Sequence, residues 1–281
     1  IPLKNTQDQV QILRPLINIR KSRLIQTCRK NKYKWFEDPS NQDDNFERVK
    51  VRNIIGSLSK SKRSQLYSEF KINSYENKFF EIKLAKFFIK SIRFEDYGKF
   101  TINKTKFKYE NKYFQIEILK RILVTCSGSI YSPRSRSIKL FLERYFKLEN
   151  AKFTIHSCII ECSSDEIYVF REYVKIKNLN PSQLIIKKQK SAIWDDRFLI
   201  SSIFSDIKCL IFNDAIWLKL KNQYKFVKDS QNISYDILKT LPILLYKNTM
   251  IMPFLTNKKI MRSLGISVTF KPKIPLTKKN L

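Results

Sequence analysis

The chain has 281 residues, of which 43% are hydrophobic and 13% aromatic, and this composition excludes a disordered polypeptide. Its length predicts a folded protein of two or three domains. The four glycines are far apart, at Gly56, Gly98, Gly128 and Gly265, which excludes a glycine-rich phosphate loop in this sequence.

The charge balance is strongly basic, with 55 lysines and arginines against 25 acidic residues and a net charge of +30. A field of this size favours polyanions, and nucleic acid is the first candidate. Drift toward lysine codons in an AT-rich genome is an alternative source of the charge, and we expect both to contribute. The protein attracts phosphate in either case.

The cysteine content is odd and scattered, which predicts reduced thiols in a cytoplasmic protein. The five positions are Cys28, Cys126, Cys158, Cys162 and Cys209. The single histidine, His156, lies near two of them, but the spacing fits no standard zinc pattern, so we predict no metal site. No apolar run reaches the ~20 residues of a membrane span and no signal peptide is present, so no membrane partner is expected.

The first thirty residues predict a strand-like lead-in followed by a short helix over residues 21–31. The polar face of that helix is basic and includes Arg20 and Arg23. Without interleaved acidic partners, a solvated surface and a contact to an RNA backbone are equally good interpretations.

Residues 35–52 predict a turn followed by a helix. Proline presets its own φ and keeps the residue before it out of the α region, and the polar residues that follow are typical of turns and helix caps. The predicted structural turn consists of Asp38, Pro39, Ser40 and Asn41. The preceding aromatic pair, Trp35 and Phe36, is predicted to be a buried anchor beneath this turn.

Arg48 and Arg52 are four residues apart, so they share one face near the start of the predicted helix. Two like charges there repel each other and oppose the helix dipole. This arrangement is favourable if an anion lies against it, which makes the pair a candidate anion site.

The middle of the chain alternates helical and strand-like patterns. Residues 61–92 predict helix, with a break at Asn73 and Ser74, and residues 100–109 predict a hairpin around Asn103 and Lys104. Residues 113–126 predict a helix with an apolar stripe. That stripe consists of Phe114, Ile118, Leu119, Ile122 and Leu123.

A polar loop over residues 128–137 leads into a helix predicted over residues 138–148. Its serines are candidate caps for that helix, and Arg134 and Arg136 lie at its entrance. A phosphate contact and a capped loop with solvated arginines are both open, with the former slightly favoured. After Asn150 the pattern changes to short strands, including residues 216–220.

Several of these segments resemble the tRNA(Ile)-lysidine synthetase family. The family's R-P-L, W-x-x-D-x-S-N and R-N-x-x-R patterns occur here in the same order. They correspond to Arg14-Pro15-Leu16, to Trp35 with Asp38, Ser40 and Asn41, and to the arginine pair. Val49 takes the place of the family's asparagine. Weaker matches follow in residues 154–158, 169–172, 194–198 (W-D-D-R-F, with Asp196 in a glycine position) and 241–253.

This resemblance implies an α+β fold in three parts. Residues 1–60 would be the end of an α/β catalytic domain of the ATP-pyrophosphatase type, residues 61–150 a helical tRNA-binding domain, and residues 151–281 a β-rich C-terminal domain. The family's S-G-G-x-D-S loop and H-x-x-D-D motif are missing from this sequence. The chain is therefore expected to be the C-terminal portion of such an enzyme and inactive alone.

By the same resemblance, the full enzyme uses ATP, with magnesium, to adenylate the wobble cytidine of the CAU-anticodon isoleucine tRNA. Free lysine then displaces AMP to give lysidine. Arg48 and Arg52 would contact the ATP or lysine side, Arg20, Arg23, Arg134 and Arg136 would contact tRNA, and this portion alone would bind no cofactor. A homodimer is compatible with this interpretation.

Two alternatives to this interpretation remain open. One is a non-catalytic basic RNA-binding protein whose motif matches are chance. The other, a DNA-binding protein, is disfavoured because no helix-turn-helix or zinc framework is visible.

Overall fold

The computed structural model describes residues 4–7, 10–41, 43–177, 184–223 and 233–277. The chain divides into two compact units, residues 1–82 and residues 83–279, which differ in how much hydrophobic surface they bury. Within the described residues, no helix is both long enough and apolar enough to cross a membrane.

The first unit begins with an antiparallel hairpin and continues with helices. The strands are β1 (Lys4–Gln7) and β2 (Val10–Leu13), and the helices are α1 (Lys21–Lys30), α2 (Glu47–Ser57) and the first part of α3 (Lys60–Ser91). Among the residues of this unit whose side chains are described, Val49 is the one buried hydrophobic residue. The apolar residue that replaces the family's asparagine therefore has a packing role.

Helix α3 runs without interruption for 32 residues. The break predicted at Asn73 and Ser74 is wrong. Both side chains are exposed on the helix surface, and a polar residue that faces solvent is tolerated within a helix.

The second unit opens with a five-stranded antiparallel sheet. Its spatial order is β3 (Ile92–Glu95), β4 (Lys99–Asn103), β7 (Glu166–Arg171), β6 (Cys158–Cys162) and β5 (Lys152–Ile155). Helix α5 (Lys112–Ser127) contacts β4, β6 and β7. The five residues of its predicted apolar stripe are all buried, because residues three and four apart share the face that covers the sheet.

The predicted hairpin around Asn103 and Lys104 is displaced along the chain. The turn joins β3 to β4 one strand earlier, where Gly98 has φ +88° and its N–H donates to the Glu95 carbonyl at 2.8 Å. Asn103 instead caps α4 (Lys104–Lys108), because its Oδ1 accepts from the Lys106 N–H at 2.9 Å.

The rest of the second unit holds two smaller antiparallel sheets around a shared apolar core. One sheet has the order β14 (Ile266–Phe270), β10 (Phe198–Ser202), β9 (Lys190–Trp194). The other has the order β13 (Thr249–Ile251), β12 (Ile243–Tyr246), β11 (Ile207–Leu210), β8 (Ile185–Ile186). The helices that contribute to this core are α7 (Tyr173–Lys177), α8 (Asp214–Gln223), α9 (Tyr235–Leu238) and α10 (Lys258–Ser263). Helix α6 (Ser135–Leu140) instead contacts α5.

The strand predicted over residues 216–220 is wrong, since these residues lie in α8. The side chain of Asn213 accepts from the Ile216 N–H at 2.8 Å and so satisfies a free donor at the start of the helix. An alternation of apolar residues over so short a run does not distinguish strand from helix.

The fold class is α+β, as predicted, because helices accompany several antiparallel sheets. The predicted domain limits at residues 60 and 150 stay predictions. The compact units divide after residue 82, and strands from both sides of residue 150 share the five-stranded sheet.

Candidate functional site

The turn before α2 is a short 3₁₀ helix, Pro39–Asn41, closed by the Asp38 side chain and backbone. Asp38 Oδ1 accepts from the Ser40 N–H at 2.9 Å, and the Asp38 carbonyl accepts from the Asn41 N–H at 3.0 Å. The hydrogen bonds from Ser40 lower the pKa of Asp38, with a smaller contribution from the charge of Arg48. The Asp38 carboxylate therefore serves as a hydrogen-bond acceptor within the turn.

The guanidinium of Arg48 connects α2 to this turn. Arg48 Nη2 donates to Ser40 Oγ at 3.2 Å, and its Cζ lies 5.4 Å from the Phe46 ring centroid. Arg48 and Arg52 are both exposed, and neither forms an ion pair with any carboxylate in the described part of the chain. Two adjacent cations without a counter-ion make a candidate anion site.

Sequence reasoning gave no role to Arg14, although the R-P-L pattern contains it. Its Nη1 is buried and makes no hydrogen bond within the described residues. A buried guanidinium nitrogen without an acceptor is unfavourable, so a bound anion is one explanation of its position.

Two predictions about the neighbourhood of the turn are wrong. Trp35 and Phe36 are not a buried anchor, because they are 43% and 86% exposed, and the first unit has little core to receive them. Helix α2 also begins without a side-chain cap at Phe46, since Asp43 instead accepts from the Asn45 N–H at 2.9 Å.

The candidate RNA contacts lie in two places along the chain, one in each unit. Arg20 is the residue before α1, Arg23 lies in its first turn, and α1 buries none of its residues. Arg134 precedes α6 and Arg136 lies in its first turn. All four arginines are exposed, and within the described residues none of them has a carboxylate partner. The serine cap predicted for α6 does not form.

The second unit contains a buried charge cluster that sequence reasoning missed. Asp195 binds Arg171 through two oxygens, at 2.8 Å to Nη2 and 3.1 Å to Nε, and binds Arg197 Nε at 2.6 Å. Arg197 Nη2 also donates to the Thr240 carbonyl at 2.8 Å. Burial by itself lowers the pKa of Arg171, but the charge of Asp195 and its hydrogen bonds outweigh burial and raise it. The cluster joins β7 to the turn between β9 and β10.

That turn is closely packed. Asp195 and Asp196 have φ of 49° and 54°, in the left-handed region that aspartate tolerates better than most residues. A Cβ at Gly128, the residue after α5, would lie 2.9 Å from the Asp196 Cβ and 3.0 Å from the Asp195 carbonyl oxygen. Glycine at position 128 therefore permits the turn to approach the end of α5.

Comparison with known proteins identifies relatives of the chain. A family model described as a PP-loop domain matches residues 1–58. The tRNA(Ile)-lysidine synthase of Rickettsia typhi is 31% identical over 252 residues, which are 84% of this chain and 56% of that protein. The synthase of Rickettsia akari is 28% identical over 85% of this chain and 56% of that protein, and the synthase of Rickettsia bellii (strain RML369-C) is 27% identical over 84% and 53%.

The chain is a relative of the tRNA(Ile)-lysidine synthases. The resemblance predicted from the sequence motifs is confirmed, and the chain spans about half the length of the synthases that it matches.

The PP-loop match includes the candidate anion site. Arg14, the turn, Arg48 and Arg52 all lie within residues 1–58. The sequence itself contains no Gly-Gly pair, so the S-G-G-x-D-S form of the loop is not among these residues. In this lysidine synthase relative the matched segment therefore offers side-chain cations rather than a glycine-rich loop.

The cation-rich segment suits an anion better than a metal. Within the described residues, no group of three or more His, Cys, Asp or Glu residues could hold a metal ion. Arginines without acidic partners are typical contacts for a phosphate or a carboxylate. The residues present therefore fit an anion such as a phosphate or a carboxylate.

All five cysteines of this synthase relative are free thiols, and their exposure differs. Cys28 on α1 is half-buried, whereas the other four are buried. Burial raises the pKa of Cys158 and Cys162, and raises that of Cys209 to about 12. Alkylation requires an accessible thiolate, so the four buried thiols should be protected in the folded chain.

We expect iodoacetamide at pH 8 to modify Cys28 at least about tenfold faster than the other cysteines, because they react only through local opening. Peptide mass spectrometry of timed samples measures the five rates separately. In urea sufficient to unfold the chain, the rates should become similar. Modification of Cys209 as fast as Cys28 in the native protein would contradict this structure.

Proposed function

We propose that this chain is part of a tRNA(Ile)-lysidine synthetase. In the full enzyme, ATP would adenylate the wobble cytidine of the CAU-anticodon isoleucine tRNA with loss of pyrophosphate. The amine of free lysine would then displace AMP to form lysidine. The similarity to the Rickettsia synthases over 84–85% of the chain is the observation that carries this proposal.

The proposed share of this chain is to bind and position tRNA in the cytoplasm. Holding two reactants in a productive geometry removes much of the entropic barrier to their reaction. The net charge of +30 and the four exposed arginines without acidic partners support phosphate contacts. Arg20, Arg23, Arg134 and Arg136 are the proposed contacts to the RNA backbone.

Arg48 and Arg52 are the proposed contacts on the ATP or lysine side. Their support is the PP-loop match and the absence of ion pairs to them within the described residues. Arg14, with its unpaired buried nitrogen, lies in the same matched segment of the sequence. Guanidinium groups donate to phosphate and carboxylate oxygens in a fixed fork geometry, so the pair would orient an anion and offset its charge. Without the glycine-rich loop, the chain alone is proposed to lack catalysis.

A non-catalytic basic RNA-binding protein is the second candidate, favoured by the strong charge and the missing S-G-G-x-D-S loop. Binding to the CAU-anticodon isoleucine tRNA and to bulk tRNA distinguishes the two. A synthetase portion should prefer the former, whereas equal affinity for both would support the second candidate.

We expect tRNA affinity to fall steeply with salt. Each phosphate contact contributes about −0.7 to −0.9 to the slope of log K against log salt, so four arginine contacts predict a slope near −3. Fluorescence anisotropy between 50 and 200 mM salt, values chosen to bracket physiological strength, measures it.

A double substitution tests which arginines contribute to the salt dependence of tRNA binding. The double variant Arg134→Gln with Arg136→Gln should reduce the magnitude of the slope by about 1.5, which is half of the expected total. A wild-type affinity independent of salt would reject the phosphate contacts altogether.

A further inference from the structure

The loop between α5 and α6 is fixed by its own serines. Ser127 Oγ accepts from the Ser129 N–H at 3.2 Å, and Ser129 Oγ accepts from the Tyr131 N–H at 3.0 Å. Ser129 Oγ also donates to the Tyr131 carbonyl at 3.3 Å. Pro133, two residues later, is buried. Both the N–H and the carbonyl of Tyr131 are therefore hydrogen-bonded to the Ser129 hydroxyl.

The side chain on this fixed backbone is open to solvent. Tyr131 is 75% exposed, and within the described residues its ring makes no aromatic or cation contact. A large aromatic ring gains most of its stabilisation by covering another surface. A rigidly presented but uncovered ring is therefore suited to a ligand.

His156 supports the loop from the neighbouring hairpin. Its imidazole lies close to the backbone of Tyr131, in the turn between β5 and β6. Burial lowers the pKa of His156, against the smaller raising effect of that contact, and so favours the neutral imidazole. It positions the loop without adding a cation to it.

Two arginines follow this loop in the sequence. Arg134 and Arg136 are three and five residues from Tyr131, both exposed, and without an acidic partner in the described part of the chain. A chain extends at most ~3.5 Å per residue, so the Cα atoms of Tyr131 and Arg134 are within roughly 10 Å. One exposed ring and two exposed guanidiniums are thus close together along the chain.

We propose that Tyr131 is a stacking platform for an unpaired base of bound RNA, with Arg134 and Arg136 on the adjacent phosphates. This rests on the proposed tRNA binding and adds to it a residue that contacts a base. Stacking on an aromatic side chain needs the open face of a base, which a continuous duplex hides. The net charge of +30 and the unpaired arginines favour this polyanion over a protein partner.

The inference is tested on the full chain with a single-stranded RNA of twelve nucleotides, a blunt duplex of the same length, and the isoleucine tRNA. Tyr131→Ala should weaken binding of the single strand by about tenfold and leave the duplex unchanged. Tyr131→Phe keeps the ring and should bind within about twofold of wild type. Tyr109→Ala removes another highly exposed tyrosine and is the matched control.

Salt dependence separates stacking from charge. Tyr131→Ala should keep the salt slope of the wild type, whereas Arg134→Gln with Arg136→Gln should reduce it. Wild-type affinity of Tyr131→Ala for the single strand would overturn this inference and leave tRNA binding intact. Failure of the wild-type chain to bind any of the three RNAs would reject the proposed function and this inference together.

Discussion

Replacing Asp195 with asparagine is expected to destabilise the second unit by about 3–5 kcal/mol, the usual cost of removing one member of a buried ion pair. The carboxylate is the common partner of Arg171 and Arg197, and the side chains of Asp195 and Arg197 are 2% and 1% exposed. Asparagine keeps the size and tolerates the left-handed backbone, so the loss of charge is the main change.

The neighbouring residue supplies the control. Asp196 shares the turn and the positive φ, but its side chain is 57% exposed and pairs with Lys273 at 3.0 Å. Asp196→Asn should therefore change stability by less than about 1 kcal/mol.

Urea unfolding followed by tryptophan fluorescence measures both variants, because Trp194 is buried beside this turn. An Asp195→Asn variant as stable as Asp196→Asn would contradict the burial of the ion pairs that Asp195 forms with Arg171 and Arg197.

The second large effect is expected at the candidate anion site. In a reconstituted enzyme that adds the part of the Rickettsia typhi synthase not matched by this chain, Arg48→Ala with Arg52→Ala should lower lysidine formation by about 100-fold or more. Removal of a single charge-stabilising donor commonly has an effect of this size. The affinity for tRNA should change much less.

Lys50→Ala is the matched control for these arginines. Lys50 is an exposed cation on α2 between the two arginines, and it lies on a different face of the helix. Its replacement should have little effect on the rate. Parallel losses of rate and tRNA affinity in the arginine variant would instead identify Arg48 and Arg52 as RNA contacts.

Local patterns predicted much of the fold. The apolar stripe of α5 and the Asp38 turn follow from helix periodicity and from the preferences of proline and aspartate, which act over a few residues. Short segments were less predictable. Asn103 favours both a turn and a helix cap, and only the pairing of β3 with β4 decides between them.

The buried cluster could not be predicted from pattern alone. Arg171, Asp195 and Arg197 lie in segments that resemble family motifs, but no pattern in the sequence pairs them, since Arg171 is 24 residues from Asp195. Trp35 and Phe36 show the opposite error. Large aromatic side chains are predicted to be buried, but these two are exposed because the first unit has little core to receive them. Burial is a property of the assembled chain, and sequence periodicity indicates it only where an element covers a continuous core.

The five-stranded sheet determines how this polypeptide can be dissected. Strand β4 hydrogen-bonds to β7 from Phe100–Val169 to Asn103–Glu166. A fragment ending at residue 150 would remove that neighbour and leave an open edge prone to intermolecular pairing. Fragments meant to isolate the helices before residue 150 therefore need to extend at least through Arg171.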